Sequence, residues 1–164
     1  MSVCVAYRVP GEGAVLVSDG RVTHDGELVS DHERKFVICG STVCLVAGDI
    51  GPSWRALQEK PPKNFDAFRE ILDNGKDDTD WVAYDRRSDR LWLGETRLVT
   101  PFTTLGCGGS VALGALEVLP RALTLDAAEK NALKAVKAAC RRNVNCGGKI
   151  RTVIVPRKGP LIIR

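Results

Sequence analysis

Met1-Ser2-Val3-Cys4-Val5-Ala6-Tyr7-Arg8 turns at Pro10-Gly11-Glu12-Gly13 and returns as Ala14-Val15-Leu16-Val17-Ser18-Asp19-Gly20. Alternating or continuous apolar residues on either side of a glycine-rich turn predict a β-hairpin. A lysine follows inside His32-Glu33-Arg34-Lys35-Phe36, and Val43-Cys44-Leu45-Val46-Ala47-Gly48 closes the stretch. Phe36-Val37-Ile38-Cys39 and Thr42 to Ala47 are apolar runs joined by Gly40-Ser41, which is the pattern of buried strands. The ends of these strands can bring a hydroxyl (Ser2), a carboxylate (Asp19), an ammonium (Lys35) and a glycine amide (Gly48) together.

Outward from this stretch, strands and helices alternate in blocks. Arg21 to Asp31 is polar, with a short strand at Glu27-Leu28-Val29. Pro52 to Lys60 predicts a helix with proline in its opening turn, where the missing N–H costs nothing, stopped by Pro61-Pro62. Asn64 caps a second helix through Leu72, ended by Asn74-Gly75. Trp81 to Tyr84, Leu91 to Leu93 and a weaker Leu98-Val99 return to strands, and Phe102 to Leu105 leads into Gly106-Cys107-Gly108-Gly109-Ser110. A small-residue helix is expected from Val111 to about Leu119. The longest follows from Asp126 to about Arg142, with Asp126 and Glu129 as a capping-box-like start. Its apolar face is Ala128, Ala132, Val136 and Ala139. Lys130, Lys134, Lys137 and Arg141 form a basic stripe, read first as a solvated face and second as a dock for an acidic partner. Ile150 to Val155 and Leu161 to Ile163 are the last strands. Segregated strands and helices predict an α+β domain over residues 1–164, with two antiparallel sheets covered by helices.

The bulk properties narrow the function classes. A chain of 164 residues with 44% hydrophobic and 27% charged residues has the composition of a globular protein able to bury its own core. No apolar run approaches the roughly 20 residues of a membrane span, and no basic-then-apolar leader is visible, so a cytoplasmic protein is expected. A net charge of +4 with 5% aromatics is a weak footprint for nucleic acid. The six cysteines include no Cys-x-x-Cys pair, and His24 and His32 make no ligand spacing with any of them. Reduced, mostly buried thiols are therefore expected, with no metal and no cofactor.

Trimming of Met1 would leave Ser2 with a hydroxyl and a free α-amine on one residue. Such an amine, with an unperturbed pKa of about 7.7–8.0, suits a general base. Lys35 would favour the alkoxide, Asp19 would orient and neutralise the lysine, and the Gly48 amide would face an oxyanion. Taken singly, each has a plainer reading: Asp19-Gly20 as a turn, Lys35 as a surface charge, Gly48 as a strand end.

Taken in order, the motifs resemble those of proteasome β subunits and the HslV peptidase, members of the N-terminal nucleophile hydrolases. The resemblance rests on Ser2 to Arg8, Val17-Ser18-Asp19-Gly20-Arg21-Val22-Thr23, Arg34-Lys35-Phe36 and Val46-Ala47-Gly48-Asp49. It continues through Leu105 to Gly109, Leu123-Thr124-Leu125-Asp126-Ala127-Ala128-Glu129 and the loop Arg142-Asn143-Val144-Asn145-Cys146-Gly147-Gly148. It implies a four-layer αββα sandwich, homo-oligomeric rings and peptide-bond hydrolysis of unfolded protein, fed by a separate ATP-dependent unfoldase. By the same resemblance Ser2 stands for the nucleophile, Asp19 and Lys35 for the charged pair, and Gly48 for the oxyanion donor. Cys107 takes a serine's place near the nucleophile, Asn143 an aspartate's and Cys146 a serine's, the last two in the group that supports the α-amine. Arg21, Val22 and Leu45 fall where substrate pockets are expected. A retained Met1 would block the amine, and with Cys107, Asn143 and Cys146 it supports the alternative of a catalytically silent scaffold or ring component of a larger assembly, such as a viral particle. An amidase acting on small amides through Ser2 is a third reading.

Overall fold

The computed structural model describes residues 2–25, 27–48, 51–73 and 79–164. Met1, Asp49 and the expected helix stop at Asn74-Gly75 lie outside the described residues. The hairpin forms as read: β1 (Cys4–Val9) and β2 (Gly13–Ser18) pair antiparallel, with Cys4 opposite Ser18 and Val9 opposite Gly13. β3 (Val22–His24) and β4 (Glu27–Ser30) make a separate two-stranded ribbon. β5 (Phe36–Cys39) and β6 (Thr42–Gly48) are the next hairpin, followed by α1 (Pro52–Glu59) and α2 (Phe65–Asp73). Then come β7 (Thr79–Asp85), β8 (Arg90–Leu93), β9 (Thr96–Leu98), β10 (Phe102–Leu105), α3 (Gly109–Glu117), α4 (Leu125–Arg142), β11 (Arg151–Pro156) and β12 (Ile162–Ile163).

The strands sort into two five-stranded antiparallel sheets, ordered β10-β1-β2-β11-β12 and β5-β6-β7-β8-β9. The protein is α+β, and its described residues hold three buried clusters. β1 and β2 are buried on both faces, which is why they read as continuous apolar runs. Val3, Val5, Tyr7, Val15 and Val17 point at Ala112 and Leu116 of α3 and at Ala128, Ala132, Ala135, Val136 and Ala139 of α4. Bulk on the sheet is met by alanine on the helices, so the layers approach closely. Cys4, Ala6, Ala14 and Leu16 point the other way, toward Phe36, Val43, Leu45, Val82, Tyr84 and Leu91 of the second sheet. There Cys4, Ala6 and Ala14 are small, while Leu16 and, from β11, Val153 and Val155 supply the bulk of the first sheet. The far face of the second sheet packs Val37, Cys44, Val46 and Trp81 against Trp54, Leu57 and Phe68 of α1 and α2. Phe65 and Phe68 meet Trp81 edge-on at 5.6 and 5.7 Å. Each fully buried Val, Leu or Phe in these clusters contributes about 1.5–3 kcal/mol.

Three details depart from the sequence reading. α4 is capped by Thr124, whose extended backbone lets its side chain accept from the Ala127 amide. The expected Asp126–Glu129 capping box is absent: Asp126 pairs with Lys130 at 2.8 Å and Glu129 with Arg164 at 2.6 Å. α3 begins at Gly109 rather than Val111, and Val118, its C-cap, precedes the expected end. β3 was not expected. It is three residues long, with a register irregularity between Val22 and Thr23 that breaks the alternation. The apolar face expected for α4 is buried, and Lys130, Lys134, Lys137 and Arg141 are exposed.

Candidate functional site

The candidate residues lie at the ends of strands and helices, brought to one region by the pairing of β1 with β2 and β10. Ser2 precedes β1, Asp19 and Gly20 follow β2, and Lys35 precedes β5. Cys107 is in the turn between β10 and α3, and Asn143 to Gly148 is the segment leaving α4.

Asp19 is the centre of this region. Its Oδ1 accepts from the Val3 amide at 3.0 Å and from Lys35 Nζ at 2.6 Å, while Oδ2 accepts from the Gly147 amide at 2.9 Å. Lys35 Nζ also donates to the Arg21 carbonyl at 2.6 Å. Both side chains are 0% exposed. A fully buried ion pair is expensive to desolvate, and here further hydrogen bonds to the Val3 and Gly147 amides and the Arg21 carbonyl offset part of that cost. The backbone completes the lock: the Asp19 amide donates to the Val3 carbonyl and the Gly20 amide to the Gly147 carbonyl. The carboxylate is thus fixed to the residue immediately after Ser2.

Ser2 itself is fully buried, and its Oγ has no hydrogen-bond partner among the described residues. Its carbonyl is held by the Gly108 amide at 3.2 Å and by Cys107 Sγ at 3.6 Å. Ser18, paired with Cys4 across the hairpin, carries a second buried hydroxyl without a partner among those residues. Sequence reasoning did not nominate Ser18; its place at the same strand end as Ser2 was the available signal. Gly106 sits at φ +82°, and a Cβ there would lie 2.2 Å from the Ser2 carbonyl oxygen. Only glycine permits that approach.

The two cysteines read as serine replacements meet each other: Cys107 Sγ and Cys146 Sγ are 3.6 Å apart. Cys107 is exposed and Cys146 buried, and burial together with the Cys107 thiol pushes Cys146 well up from its ordinary value. Asn143 Nδ2 donates to the Cys107 carbonyl at 3.0 Å, and Asn143 Oδ1 accepts from the Asn145 amide at 3.0 Å. Both ends of that amide are therefore used in holding the loop to the turn. Arg21 clamps the same loop from outside, donating to Asp31 at 2.7 and 3.1 Å and to the Val144 carbonyl at 2.9 Å. Hydrogen bonding to Arg21 holds the Asp31 carboxyl below the usual range. Asp31, Gly106 and Gly147 are supports that the sequence did not single out, because two of them act through backbone atoms.

Gly48 is joined to this region less directly. It ends β6 opposite Thr79, with φ +111°, and its neighbour Ala47 is 3.3 Å from the position of a Gly106 Cβ. Leu45, expected near a substrate pocket, is instead 1% exposed within the inter-sheet core, because its side chain alternates to the face that meets the first sheet. No group of three or more His, Cys, Asp or Glu residues that could hold a metal occurs among the described residues. No helix among them is long and apolar enough to cross a membrane. The chain matches no known family model and no curated protein.

Proposed function

We propose that the chain is an N-terminal-serine hydrolase of the proteasome and HslV type, a four-layer αββα sandwich that cleaves peptide bonds once Met1 has been removed. The observation that carries this reading is the fully buried Asp19–Lys35 pair tied by hydrogen bond to the amide of Val3. A charge pair of this kind is costly for a fold to keep, and Asp19 ties it to the amide of the residue that follows Ser2, the candidate nucleophile. In the mature chain the Ser2 amine takes the Oγ proton as Oγ attacks the substrate carbonyl carbon. The Gly48 amide donates to the oxyanion, and the amine then passes its proton to the leaving nitrogen. Water attacks the resulting acyl-enzyme by the same route in reverse. Lys35 supplies positive charge that favours the alkoxide, and Asp19 keeps Lys35 in place.

A second reading is favoured by a specific observation. Ser2 is 0% exposed, and the Cys107 and Cys146 side chains engage each other, which suits a silent member of this fold retained as a scaffold.

Intact mass of the natively expressed protein, before and after a peptide epoxyketone, separates the two. The hydrolase shows loss of the Met1 mass and a covalent adduct that disappears in Ser2→Ala. Retained Met1 with no adduct leaves the scaffold.

A further inference from the structure

We infer that Cys107 and Cys146 form a reversible disulfide that tethers the Gly106-Cys107-Gly108 turn to the Asn143–Gly148 loop. The two sulfurs are already 3.6 Å apart, although their residues are separated by 39 positions. The loops that carry them are held in register by the Asn143 side chain on the Cys107 carbonyl and by the Arg21 clamp on Val144. Closing the gap to a bond asks for a sulfur displacement of about 1.5 Å. The two thiols are also unlike in the way such a pair requires. Cys107 is exposed and can meet an oxidant, whereas Cys146, 1% exposed, can meet little besides Cys107. Cys4, Cys39 and Cys44 are buried, so they are not reached first.

With hydrogen peroxide as oxidant the chemistry balances in two steps. The Cys107 thiolate attacks one peroxide oxygen, the O–O bond breaks, and hydroxide leaves as water after taking a proton, giving the sulfenic acid. The Cys146 sulfur then attacks the Cys107 sulfur, the S–O bond breaks, and the departing hydroxide takes the Cys146 proton as a second water. Two thiols lose two electrons, and one peroxide becomes two waters. A dithiol reductant reverses the bond by thiolate attack and exchange. The bond ties the turn that holds the Ser2 carbonyl to the loop whose Gly147 amide holds Asp19, and it removes the S–H that reaches Ser2. Oxidation is thereby coupled to the proposed nucleophile, and only this coupling rests on the hydrolase reading.

The test uses the full chain. It is treated with a few equivalents of hydrogen peroxide, alkylated with iodoacetamide, digested and mapped by mass spectrometry, with melting followed in parallel. Expected are a Cys107–Cys146 cross-linked peptide 2 Da below the sum of its parts and a melting temperature raised by roughly 5–10 °C. Dithiothreitol reverses both, and Cys107→Ser, an exposed substitution, abolishes both. Cys107 recovered as sulfinic acid with Cys146 alkylated, or a disulfide joining two chains through Cys107, overturns the inference. Neither readout needs turnover, so an inert Ser2 defeats the hydrolase reading and leaves the disulfide standing, whereas a missing cross-link defeats the disulfide whatever Ser2 does.

Discussion

Lys35 shows what a single side chain can disclose and what it hides. As a sequence letter it is a surface charge; in the fold it is 0% exposed and bonded to Asp19 and the Arg21 carbonyl. Ser2, Asp19 and Lys35 were legible because each stands where an apolar run begins or ends. The amides of Val3 and Gly147 that fix Asp19 were not, because a backbone donor looks the same in every residue. The Cys107–Cys146 contact was equally hidden, since no local spacing links positions 39 apart. Removing one member of the buried pair leaves the other charge uncompensated, which costs about 3–5 kcal/mol. Asp19→Ala should sit at the upper end, because it also orphans the Val3 and Gly147 amides, and Lys35→Met at the lower, because Asp19 keeps both amide donors. Urea unfolding followed by tryptophan fluorescence should rank them so; unchanged midpoints would mean the pair contributes nothing to the fold. Cys4 makes a different residue-scale prediction. Burial pushes its thiol from an ordinary 9.0 to about 12. Below pH 9 the folded and unfolded thiols are both protonated and the full stability is present. As pH rises toward 12 the unfolded chain ionises first, so stability falls, by about 1 kcal/mol at pH 10. Cys44 and Cys146 are pushed the same way. Denaturation midpoints between pH 8 and 10.5 should decline in the parent and decline less in Cys4→Ala; parallel slopes would contradict the assignment.

Elements were most readable where residue size, and not only polarity, repeated. β1, β2, β5, β6 and the buried face of α4 emerge from such runs, each covered on the face that its large residues select. β3 escaped because two half-buried residues and an exposed histidine with a bulge carry no period, and the start of α4 was misplaced because Thr124 and Asp126 are both capable caps. Only the extended backbone at Thr124 distinguishes them. The turn between β7 and β8 shows how elements from different sheets are joined. Asp89 has φ +53°, a left-handed conformation that aspartate and asparagine tolerate better than alanine. It accepts from the Tyr84 hydroxyl at 2.8 Å and from the Gly11 amide at 2.9 Å, and its carbonyl accepts from Arg8 at 2.8 Å. Gly11 belongs to the β1–β2 turn, so one side chain ties the two sheets together at that end. Asp89→Ala loses both side-chain bonds and strains the turn, and should cost about 2–3 kcal/mol; Asp89→Asn, which keeps an acceptor and the backbone preference, should recover half or more. Thermal unfolding of the two variants checks this, and equal losses would show that the side-chain bonds rather than the backbone conformation carry the turn.

At the scale of the whole molecule, the two large sheets find cover among the described residues and the apolar side chains of β4 do not. Leu28 is 58% exposed and Val29 is 64% exposed, adjacent residues of β4 whose side chains leave opposite faces of the strand. A two-stranded ribbon with apolar residues on both faces and no cover is marginal in water. If the chain assembles into the homo-oligomeric rings that the resemblance implies, these two side chains are candidates for the surface that a neighbouring copy would bury. Since Leu28 and Val29 bury little within the chain, replacing both with lysine should leave unfolding midpoints within about 0.5 kcal/mol of the parent. The same change puts two charges into the contact, where desolvation without a partner costs several kcal/mol per ion and outweighs the apolar area lost. Sedimentation velocity at micromolar concentration should therefore find the parent at a multiple of 17.8 kDa and the double variant at 17.8 kDa with its fold intact. A parent that sediments at the single-chain mass would count against the ring that the resemblance implies, and a variant that stays assembled would move the contact away from this ribbon to other exposed apolar residues, such as Val118 and Leu123 beside the α3–α4 connection.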